Sequence, residues 1–351
     1  MISGNKKCSE QIRKVINFTL PILLSIIFLY IAFYNSDLKA VFQFVSHPSA
    51  FWIIIFLLTT LFSHFLRALR WKVILHSVKK DVSIKNTFGA LMIGYGVNFI
   101  FPRLGEISRA ALLGKWEGLS RSSMFGTVIV ERVIDVIFLG LTLLISVYLS
   151  NDLFANFPWL KSTLYITFGL MVLAIIFLYL TIRLKEKFYN IIIKLVSRIS
   201  IRLAGKAAYI FKMLTEGFAS LKGTKNYLIT ILLSASIIST YALTSYIGFF
   251  TLGMQNMNGV PVSYKLGWVL MSISSIGVVI PTPGGTGSYH TLAKSVLMFF
   301  GFSLNISLAY AFLTHIISFI LIIFLALVSF FLLNKQQPQL LKIVTSDPDE
   351  L

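Results

Sequence analysis

Residues 98–109 read Asn-Phe-Ile-Phe-Pro-Arg-Leu-Gly-Glu-Ile-Ser-Arg, and this stretch interrupts an apolar run with a proline and three charged side chains. Proline lacks a backbone N–H and disfavours a helical conformation in the residue before it, so the helix predicted over 86–101 ends at Pro102. A second helix is predicted over 104–116. Its first amides have no partner within the helix and lie at the positive end of the helix dipole, which suits an anion such as a phosphate.

The composition around this break is that of a membrane protein. The chain has 351 residues, of which 56% are hydrophobic and 13% charged, and its mean hydropathy is +0.83. Soluble domains average about 25% charged residues, so an integral membrane protein is predicted. Spans of about twenty apolar residues are predicted at 17–34, 51–66, 122–150, 162–182, 227–252 and 305–333. The first lacks the small residues of a cleavage site, so we expect it to be retained.

A second break lies at residues 281–287, which read Pro-Thr-Pro-Gly-Gly-Thr-Gly, between short apolar helices predicted at 264–280 and 288–302. Two short helices joined by such a break indicate a re-entrant hairpin, whose open backbone must be covered by protein or water. Glycines permit unusual conformations and allow a ligand to approach the backbone, although a tight turn without a ligand has the same composition. The break is not a nucleotide P-loop, because no Lys-Ser/Thr pair follows Gly287.

The two halves of the predicted membrane domain, 17–150 and 160–333, have the same order of elements: span, span, hairpin and span. The hairpins would then enter from opposite sides, as in an inverted-topology repeat, and matching interruptions in two such halves indicate a central cargo site. The fold class predicted is an all-α integral membrane protein with about six full spans and two re-entrant hairpins. The alternative is eight spans, with 86–118 and 264–302 both crossing fully.

The distribution of lysine and arginine predicts the orientation, because these residues gather on the cytoplasmic side of membrane proteins. With the N-terminus inside, the inner segments hold 24 basic residues and the outer segments hold four. This places the tail 1–16, the loop 183–225 and the tail 335–351 on the cytoplasmic side of the membrane. The loop fits an amphipathic helix on anionic headgroups, or equally a basic loop that only fixes the topology.

Six charged residues lie inside these apolar stretches: Arg103, Glu106, Arg109, Glu131, Arg132 and Asp135. An ionisable group within hydrocarbon costs about 3 kcal/mol or more, and it persists where it pairs, faces a wet cavity or handles a polar cargo. Three of the thirteen acidic residues of the chain are in this group. We therefore predict that this cluster is the functional site.

In the first break, Arg103 can hold a phosphate or carboxylate through two N–H groups. Glu106 and Arg109 are three residues apart, share a helical face and can pair. We predict that Asn98, Arg103 and Arg109 contact a headgroup and that Glu106 is the partner of the arginines. The alternative is that the three charges only neutralise one another and hold a broken helix together.

Glu131 and Asp135 are four residues apart and lie on one face of the span 122–150. The simplest interpretation is that these acids form salt bridges to Arg103 or Arg109. A second, more specific interpretation is a proton or ion relay, and a third is that the acids lie closer to the membrane surface than the span predicts. A gating or coupling role is predicted for Glu131, Arg132, Asp135 and His290.

In the second break, the backbone is predicted to contact the headgroup at Pro283, Gly284, Gly285 and Gly287. Structural roles are predicted for His64, His76 and His315. No grouping has metal-ligand spacing and no nucleophile–base pair stands out, so neither metal, cofactor nor catalytic residue is expected. The one cysteine, Cys8, excludes a disulfide framework, and the net charge of +18 reflects topology rather than nucleic-acid binding.

These motifs resemble the transmembrane region of the lysylphosphatidylglycerol synthase/flippase family, including its stand-alone members. The resemblance covers about 17–333 and rests on Asn98, the run 102–106, Arg109, Glu131, Arg132, Asp135 and the run 283–287. It implies a membrane region that moves a phospholipid headgroup between leaflets. Full-length members add a soluble domain that transfers an aminoacyl group from tRNA to phosphatidylglycerol; this chain lacks it, so synthase activity is not expected. His290 stands near a position where the family often has an acidic residue, which implies a different cargo.

The leading hypothesis is a lipid flippase-like transporter of the bacterial inner (plasma) membrane, which moves a phospholipid or lipid-linked carrier headgroup across that membrane. Its expected partners are membrane lipids, either an anionic phospholipid or a polyprenyl-phosphate carrier. A second copy of the chain and lipid or glycan synthesis enzymes are candidate protein partners. The alternatives are a membrane-embedded enzyme that acts on a lipid headgroup or polyprenyl phosphate, with the carboxylates as acid and base, and a non-transporting membrane subunit.

Overall fold

The computed structural model describes residues 19–336, except for 77, 151, 153–157, 199, 202, 206–207, 209–223 and 258. The predicted tail 1–16 and most of the predicted tail 335–351 lie outside these residues. Within the described part, all regular secondary structure is helical. The main helices are α1 (Thr19–Phe33), α2 (Leu38–Val45), α3 (Ala50–Leu75), α4 (Ile84–Ile100), α5 (Leu104–Glu117), α6 (Arg121–Leu149), α7 (Pro158–Ser197), α8 (Thr224–Thr251), α9 (Tyr264–Val279), α10 (Ser288–Phe299) and α11 (Leu304–Gln336).

Three of the described helices are both long and apolar enough to cross a membrane, namely α3, α8 and α11. The pair α1 and α2, bent by 92° at residues 34–37, would make a fourth span. The 29 residues of α6 are also long enough to cross, but this helix carries three charged residues in its middle. The chain is therefore a helical protein with membrane spans, as its composition predicts.

Both predicted helix breaks are present. α4 ends at Ile100 and α5 begins at Leu104, and the pair packs as an antiparallel hairpin. α9 ends at Val279 and α10 begins at Ser288, and this pair also packs together. At about 1.5 Å per residue, these four helices are only about 18–26 Å long, which is less than the ~30 Å hydrocarbon core of a bilayer.

The base of the first hairpin is held by Glu117, the last residue of α5. Its carboxylate accepts hydrogen bonds from the Lys79 ammonium at 2.7 Å, from the Asn86 amide at 2.8 Å and from the backbone N–H of Ser83 at 3.1 Å. Ser83 in turn caps α4. The loop after α3 is thereby joined to both open ends of the hairpin.

α3 and α8 pack side by side and run antiparallel. The backbone N–H of Ser49, before α3, donates to the carbonyl of Thr251 at the end of α8, while Arg70 near the end of α3 donates to Ser234 near the start of α8. α3 leads into the first hairpin and α8 leads into the second. The bases of the two hairpins therefore lie at opposite ends of this helix pair.

The tips of the two hairpins meet between these bases. A Cβ on Gly284, in the second break, would run into the ring of Phe99, in the last turn of α4. Phe99 also packs edge-on against Phe319 of α11, with 4.6 Å between ring centroids. α4 thus packs on the last helix of the second half, and α9 packs on α6, the last helix of the first half.

One sequence prediction lies partly outside the described residues. The loop predicted at 183–225 begins inside α7, which continues as one helix to Ser197. Residues 209–223 of that loop are not described. The span predicted at 162–182 is accordingly only the first part of a helix of 40 residues.

Candidate functional site

Two arginines of α3 hold the carboxylates of α6. The Arg67 guanidinium lies 2.8 Å from Glu131 Oε1 and 3.0 Å from Asp135 Oδ2. Arg70 contacts the same two carboxylates, at 3.2 Å and 2.5 Å. The arginines are three residues apart and the acids four apart, so each pair occupies one helical face and the two faces meet.

α5 adds a third arginine to this cluster. Arg109 Nη2 lies 2.7 Å from Glu131 Oε2, as an ion pair whose N–H is not directed at the oxygen. The guanidinium also stacks over the ring of Trp71 at 4.7 Å, and the Trp71 indole N–H donates to Thr127 of α6 at 3.1 Å. Helices α3, α5 and α6 are therefore joined around one fully buried carboxylate, Glu131.

Arg132 and Glu106 form the exposed edge of the cluster. Arg132 lies 3.3 Å from Asp135 and 3.9 Å from Glu106, and its side chain is 42% exposed. With Arg103 at the first break, five arginines face three carboxylates, and we call this group the ion cluster: Arg67, Arg70, Arg103, Glu106, Arg109, Glu131, Arg132 and Asp135. The site therefore carries an excess of two positive charges, which favours an anionic ligand.

The first break is stabilised by Asn98. Its side-chain oxygen accepts from the backbone N–H of Gly105 at 2.8 Å, which satisfies one of the free amides of α5, and its NH₂ donates to Glu106 at 3.2 Å. Arg103 turns the chain with a φ of +70°, a conformation that is uncommon for residues other than glycine. A Cβ on Gly105 would collide with the carbonyl of Gly94, so the two arms touch backbone to backbone.

The second break is stabilised by Ser288. Its hydroxyl lies 2.8 Å from the carbonyl of Gly277 on the other arm and 3.1 Å from the Thr282 hydroxyl. The turn itself uses Gly284, Gly285 and Gly287, whose φ angles are +58°, +76° and +87°. These glycines supply the left-handed conformations that other residues resist.

Both breaks line one cavity of about 770 Å³, which we call the charged cavity. Its polar lining comes from the ion cluster and from both helix breaks, and it includes Arg67, Arg103, Glu106, Arg132, Asp135 and Thr282. The size is within the range of about 300–1,000 Å³ that small-molecule sites occupy. The remaining walls are mostly apolar residues of α6, α8 and α9.

The structure places the predicted site residues in two groups. Seven line the charged cavity: Asn98, Arg103, Glu106, Arg132, Asp135, Gly284 and Gly285. The other five are not among the described lining residues. Arg109 and Glu131 lie behind the cavity wall in the ion cluster, and Gly287 lies against α1, where a Cβ would meet Ser25 and Phe28. His290 is buried and accepts from the Gly287 N–H at 3.3 Å, and Pro283 lies in the turn.

The predicted pairing within the first break is wrong. Arg109 pairs with Glu131 rather than with Glu106, because it faces α6, whereas Glu106 lies one turn closer to the break and accepts from Asn98. Of the bridges predicted from the acids of α6 to Arg103 or Arg109, the structure shows the one from Arg109 to Glu131. Arg103 makes no ion pair within the described part of the chain.

Arg67 and Arg70 were assigned by sequence to the inner loop, because the span was ended at residue 66, before the first charge. They instead lie inside α3 and are 9% and 1% exposed. The count of inner basic residues falls from 24 to 22 as a result. The signal that could have found them is the apolar pattern after the arginines, where Trp71, Ile74 and Leu75 continue the helix and are fully buried.

A family model described as the lysylphosphatidylglycerol synthase TM region matches residues 18–326. The chain belongs to this family. Its match covers both helix breaks and every residue of the ion cluster, so the charged cavity is built entirely from the family's membrane region.

Two archaeal relatives are similar to this member of the lysylphosphatidylglycerol synthase TM-region family. A UPF0104 membrane protein of Methanocaldococcus jannaschii is 27% identical over 342 residues, which cover 92% of this chain and 97% of the relative. A UPF0104 membrane protein of Methanothermobacter thermautotrophicus is 36% identical over 91 residues, or 24% of this chain and 27% of the relative. No solved structure matches the chain.

Proposed function

We propose that this protein is a flippase-like transporter that moves the anionic headgroup of a phospholipid or lipid-linked carrier across the membrane. The observation that carries the proposal is the charged cavity, which both helix breaks and a net-positive arginine cluster line together. A phosphate in this cavity would meet the guanidinium groups of Arg103 and Arg132, while the acyl chains stay in the lipid.

The contacts of the hairpins support an inverted-topology repeat with re-entrant hairpins. The bases of the hairpins lie at opposite ends of the α3–α8 pair, and yet their tips touch at Phe99 and Gly284. Two hairpins that enter from opposite sides and each cross fully would have their tips at opposite surfaces, about 30 Å apart. Tip contact is therefore expected only if each hairpin stops near the midplane, where transporters of this kind hold their cargo.

In the cell, we propose a plasma-membrane location with both termini in the cytoplasm. The support is the charge asymmetry, which stays large at 22 inner against four outer basic residues after Arg67 and Arg70 are reassigned. The partners proposed are an anionic phospholipid or a polyprenyl-phosphate carrier. A second copy of the chain and the enzymes that synthesise such lipids are the candidate protein partners.

The test is leaflet exchange of acyl-labelled anionic lipid in proteoliposomes that contain the purified protein. We expect Arg103→Ala to slow the exchange by about 10- to 100-fold, since a hydrogen bond to a charged group contributes about 1.5–3 kcal/mol. Glu106→Gln should slow it less, and Lys265→Ala, which removes an exposed charge outside the cavity, should not change it. An unchanged rate in both cavity variants would refute the site. A modified lipid product without leaflet transfer would support the enzyme alternative instead.

Topology has a separate test in a Cys8→Ser background, because Cys8 is the only native cysteine. Single cysteines at Asp81 and Ser303, both exposed, report the bases of the first and second hairpin. A membrane-impermeant thiol reagent should label the first from the cytoplasmic side and the second from the outer side, and a cysteine at Thr286 from the outer side. Labelling of both bases from one side would contradict the inverted repeat.

A further inference from the structure

A second cavity of about 290 Å³ lies beside the charged cavity, and its chemistry is different. Among the described residues that line it there is no lysine, arginine, aspartate or glutamate. Its polar lining consists of tyrosines, two histidines and eight hydroxyl residues, namely Thr60, Ser63, Thr244, Ser245, Ser274, Ser275, Thr314 and Ser318. We call it the hydroxyl cavity.

The two cavities are neighbours that share part of their walls. Tyr241, Met271 and Ser275 line both. The Tyr241 hydroxyl accepts a hydrogen bond from Arg67 Nη1 at 3.2 Å, so the ion cluster holds this partition in place. A ligand seated on the arginines therefore lies one side chain away from the hydroxyl cavity.

Hydroxyls inside helices commonly bond to the preceding turn and only help helices to pack. Most of those here do so: Thr60, Thr314 and Ser318, for example, each donate to the carbonyl four residues earlier, at 2.7–2.8 Å. Their hydrogens are thereby used, and each oxygen can still accept a hydrogen bond. These residues alone would not indicate a ligand.

His64 and Ser274 point to a ligand independently. Both line the hydroxyl cavity and are only 7% and 3% exposed. Within the described residues, neither ring nitrogen of His64 nor the Ser274 hydroxyl has a hydrogen-bond partner. A buried polar group without a partner costs about 1–3 kcal/mol, so a partner from a bound molecule would recover that cost.

The lining selects the chemistry of that molecule. A neutral imidazole offers one donor and one acceptor, and the back-bonded hydroxyls offer acceptors, so a fitting ligand must both donate and accept. Alcohol groups do both, whereas an ammonium only donates. A charged group would also be buried without a counter-ion, which is strongly unfavourable.

We propose that the hydroxyl cavity holds the uncharged polyol or sugar part of a headgroup whose phosphate lies in the charged cavity. The cargo is then a polyol- or sugar-phosphate lipid rather than an aminoacylated one. Each of the three carboxylates of the ion cluster already has a partner. Glu131 and Asp135 are each held by at least three arginines. Glu106 accepts from the Asn98 amide at 3.2 Å and lies 3.9 Å from Arg132, so an ammonium finds no carboxylate without a partner. This inference rests on the proposed function and specifies its substrate class.

The first arm of the test is leaflet exchange of three acyl-labelled lipids: phosphatidylinositol, phosphatidic acid and lysylphosphatidylglycerol. We expect phosphatidylinositol to exchange about fivefold faster than phosphatidic acid, as the formation of one or two additional hydrogen bonds would give, and lysylphosphatidylglycerol to be slowest. The double variant His64→Phe/Ser274→Ala should lower the phosphatidylinositol rate to that of phosphatidic acid and leave the latter unchanged. The matched control is His47→Phe/Ser236→Ala, at exposed positions outside both cavities.

The second arm measures binding without transport. Soluble inositol phosphate should raise the unfolding temperature of the detergent-purified protein more than inorganic phosphate does, and the double variant should lose that difference. Equal exchange rates for all three lipids with no difference between the soluble probes would overturn the inference and leave the transporter intact. A selective rise with inositol phosphate but no exchange of any lipid would refute the transporter and retain the site for a soluble ligand. If the double variant slowed the exchange of phosphatidylinositol and of phosphatidic acid by the same factor, His64 and Ser274 would act only in packing and the inference would be wrong.

Discussion

In the first helix break the chain turns at Arg103, and a side chain from one arm, Asn98, satisfies the amide of Gly105 on the other. In the second break the chain turns on three glycines, and the hydroxyl of Ser288 bonds to the carbonyl of Gly277 across the arms. In both hairpins a side chain thus supplies a hydrogen-bond partner for a backbone group near the break, as such groups require inside a membrane protein. The two breaks differ in charge, because residues 98–109 include charged side chains and residues 281–287 include none.

The same difference extends to the helix that follows each hairpin. α6 presents Glu131 and Asp135, four residues apart, to the ion cluster. α11 presents Thr314 and Ser318, also four apart, to the hydroxyl cavity. The helices that follow the two hairpins therefore contribute different chemistries to two neighbouring cavities, which share Tyr241, Met271 and Ser275 in their walls. If the two cavities hold a headgroup as proposed, the side chains of each cavity decide which part of the headgroup lies there.

The largest expected effect on stability comes from neutralising the carboxylate at the centre of the ion cluster. Glu131→Gln leaves Arg67, Arg70 and Arg109 facing a neutral amide in a fully buried position. Loss of one partner from a buried ion cluster costs about 3–5 kcal/mol, so we expect the free energy of unfolding in detergent to fall by that amount. Asp81→Asn, which neutralises an exposed acid, is the control and should change little. Equal stability of Glu131→Gln and the wild type would mean that the cluster is solvated rather than buried.

The next effect comes from the contact between the two breaks. Gly284→Ala adds a Cβ that meets the Phe99 ring at a residue with a φ of +58°. The left-handed conformation costs about 1–2 kcal/mol for alanine and the overpacking about 1–3 kcal/mol more. Gly253→Ala isolates the first cost, because Gly253 has a φ of +64° and its Cβ would meet open space.

Removal of the ring gives the decisive comparison for this contact. In a Phe99→Ala background, Gly284→Ala should cost only as much as Gly253→Ala, because the alanine Cβ no longer has a ring to displace. If the cost of Gly284→Ala were the same with and without Phe99, the tips of the hairpins would not be in contact. The proposed meeting of the breaks near the midplane would then lose its main support.

The sequence alone predicts some features of the site and not others. The breaks were predicted to within a few residues, because Pro102 and the Pro/Gly run at 281–287 have strong local effects on the backbone. A bridge from the acids of α6 to Arg103 or Arg109 could be predicted because buried charges require partners, and the structure shows Arg109 to be that partner. Local chemistry and the cost of burial were sufficient for both.

The rest depended on which helix faces meet, and one sequence does not encode that locally. The sequence places the end of the span at residue 66 and puts Arg67 and Arg70 in the inner loop, because charge normally marks the membrane boundary. The acids of α6 instead allow the helix to stay buried beyond both arginines. The hydroxyl cavity could not be predicted, since serines and threonines in helices usually only aid packing. Their convergence from α3, α8, α9 and α11 appears only in three dimensions.

The bridges across the two hairpins give a smaller, directly comparable effect. Asn98→Ala removes the acceptor of the Gly105 amide and should cost about 1–2 kcal/mol, as the loss of a helix N-cap does. Ser288→Ala removes a neutral hydrogen bond to Gly277 and should cost about 1 kcal/mol. Only the first should also slow exchange of anionic lipid, because Asn98 positions Glu106 at the cavity. Equal losses of exchange in both variants would mean that both breaks act only as structure.

The smallest effect concerns the base of the first hairpin, where Glu117 lies outside the membrane-spanning helices. Burial acts to raise the pKa of Glu117, but hydrogen bonds from Lys79, Asn86 and Ser83 outweigh it and hold the pKa below its ordinary value. A carboxyl with a lowered pKa in the folded state stabilises the protein above its unfolded pKa of about 4.3, and this contribution is lost as the pH falls through the folded value.

Glu117→Gln should therefore be less stable than the wild type at neutral pH, by about 1 kcal/mol or less, since Lys79 is partly exposed to solvent. The difference should narrow as the pH falls below about 4, because the wild type then loses its ion pair while the variant has none to lose. Unfolding temperatures of both proteins between neutral pH and pH ~3.5 measure this, with Asp81→Asn as the control for general acid effects. A difference that stays constant across that range would show that Glu117 acts through its shape and hydrogen bonds. The charge asymmetry between the hairpins would then be confined to the cavity and would not extend to the base.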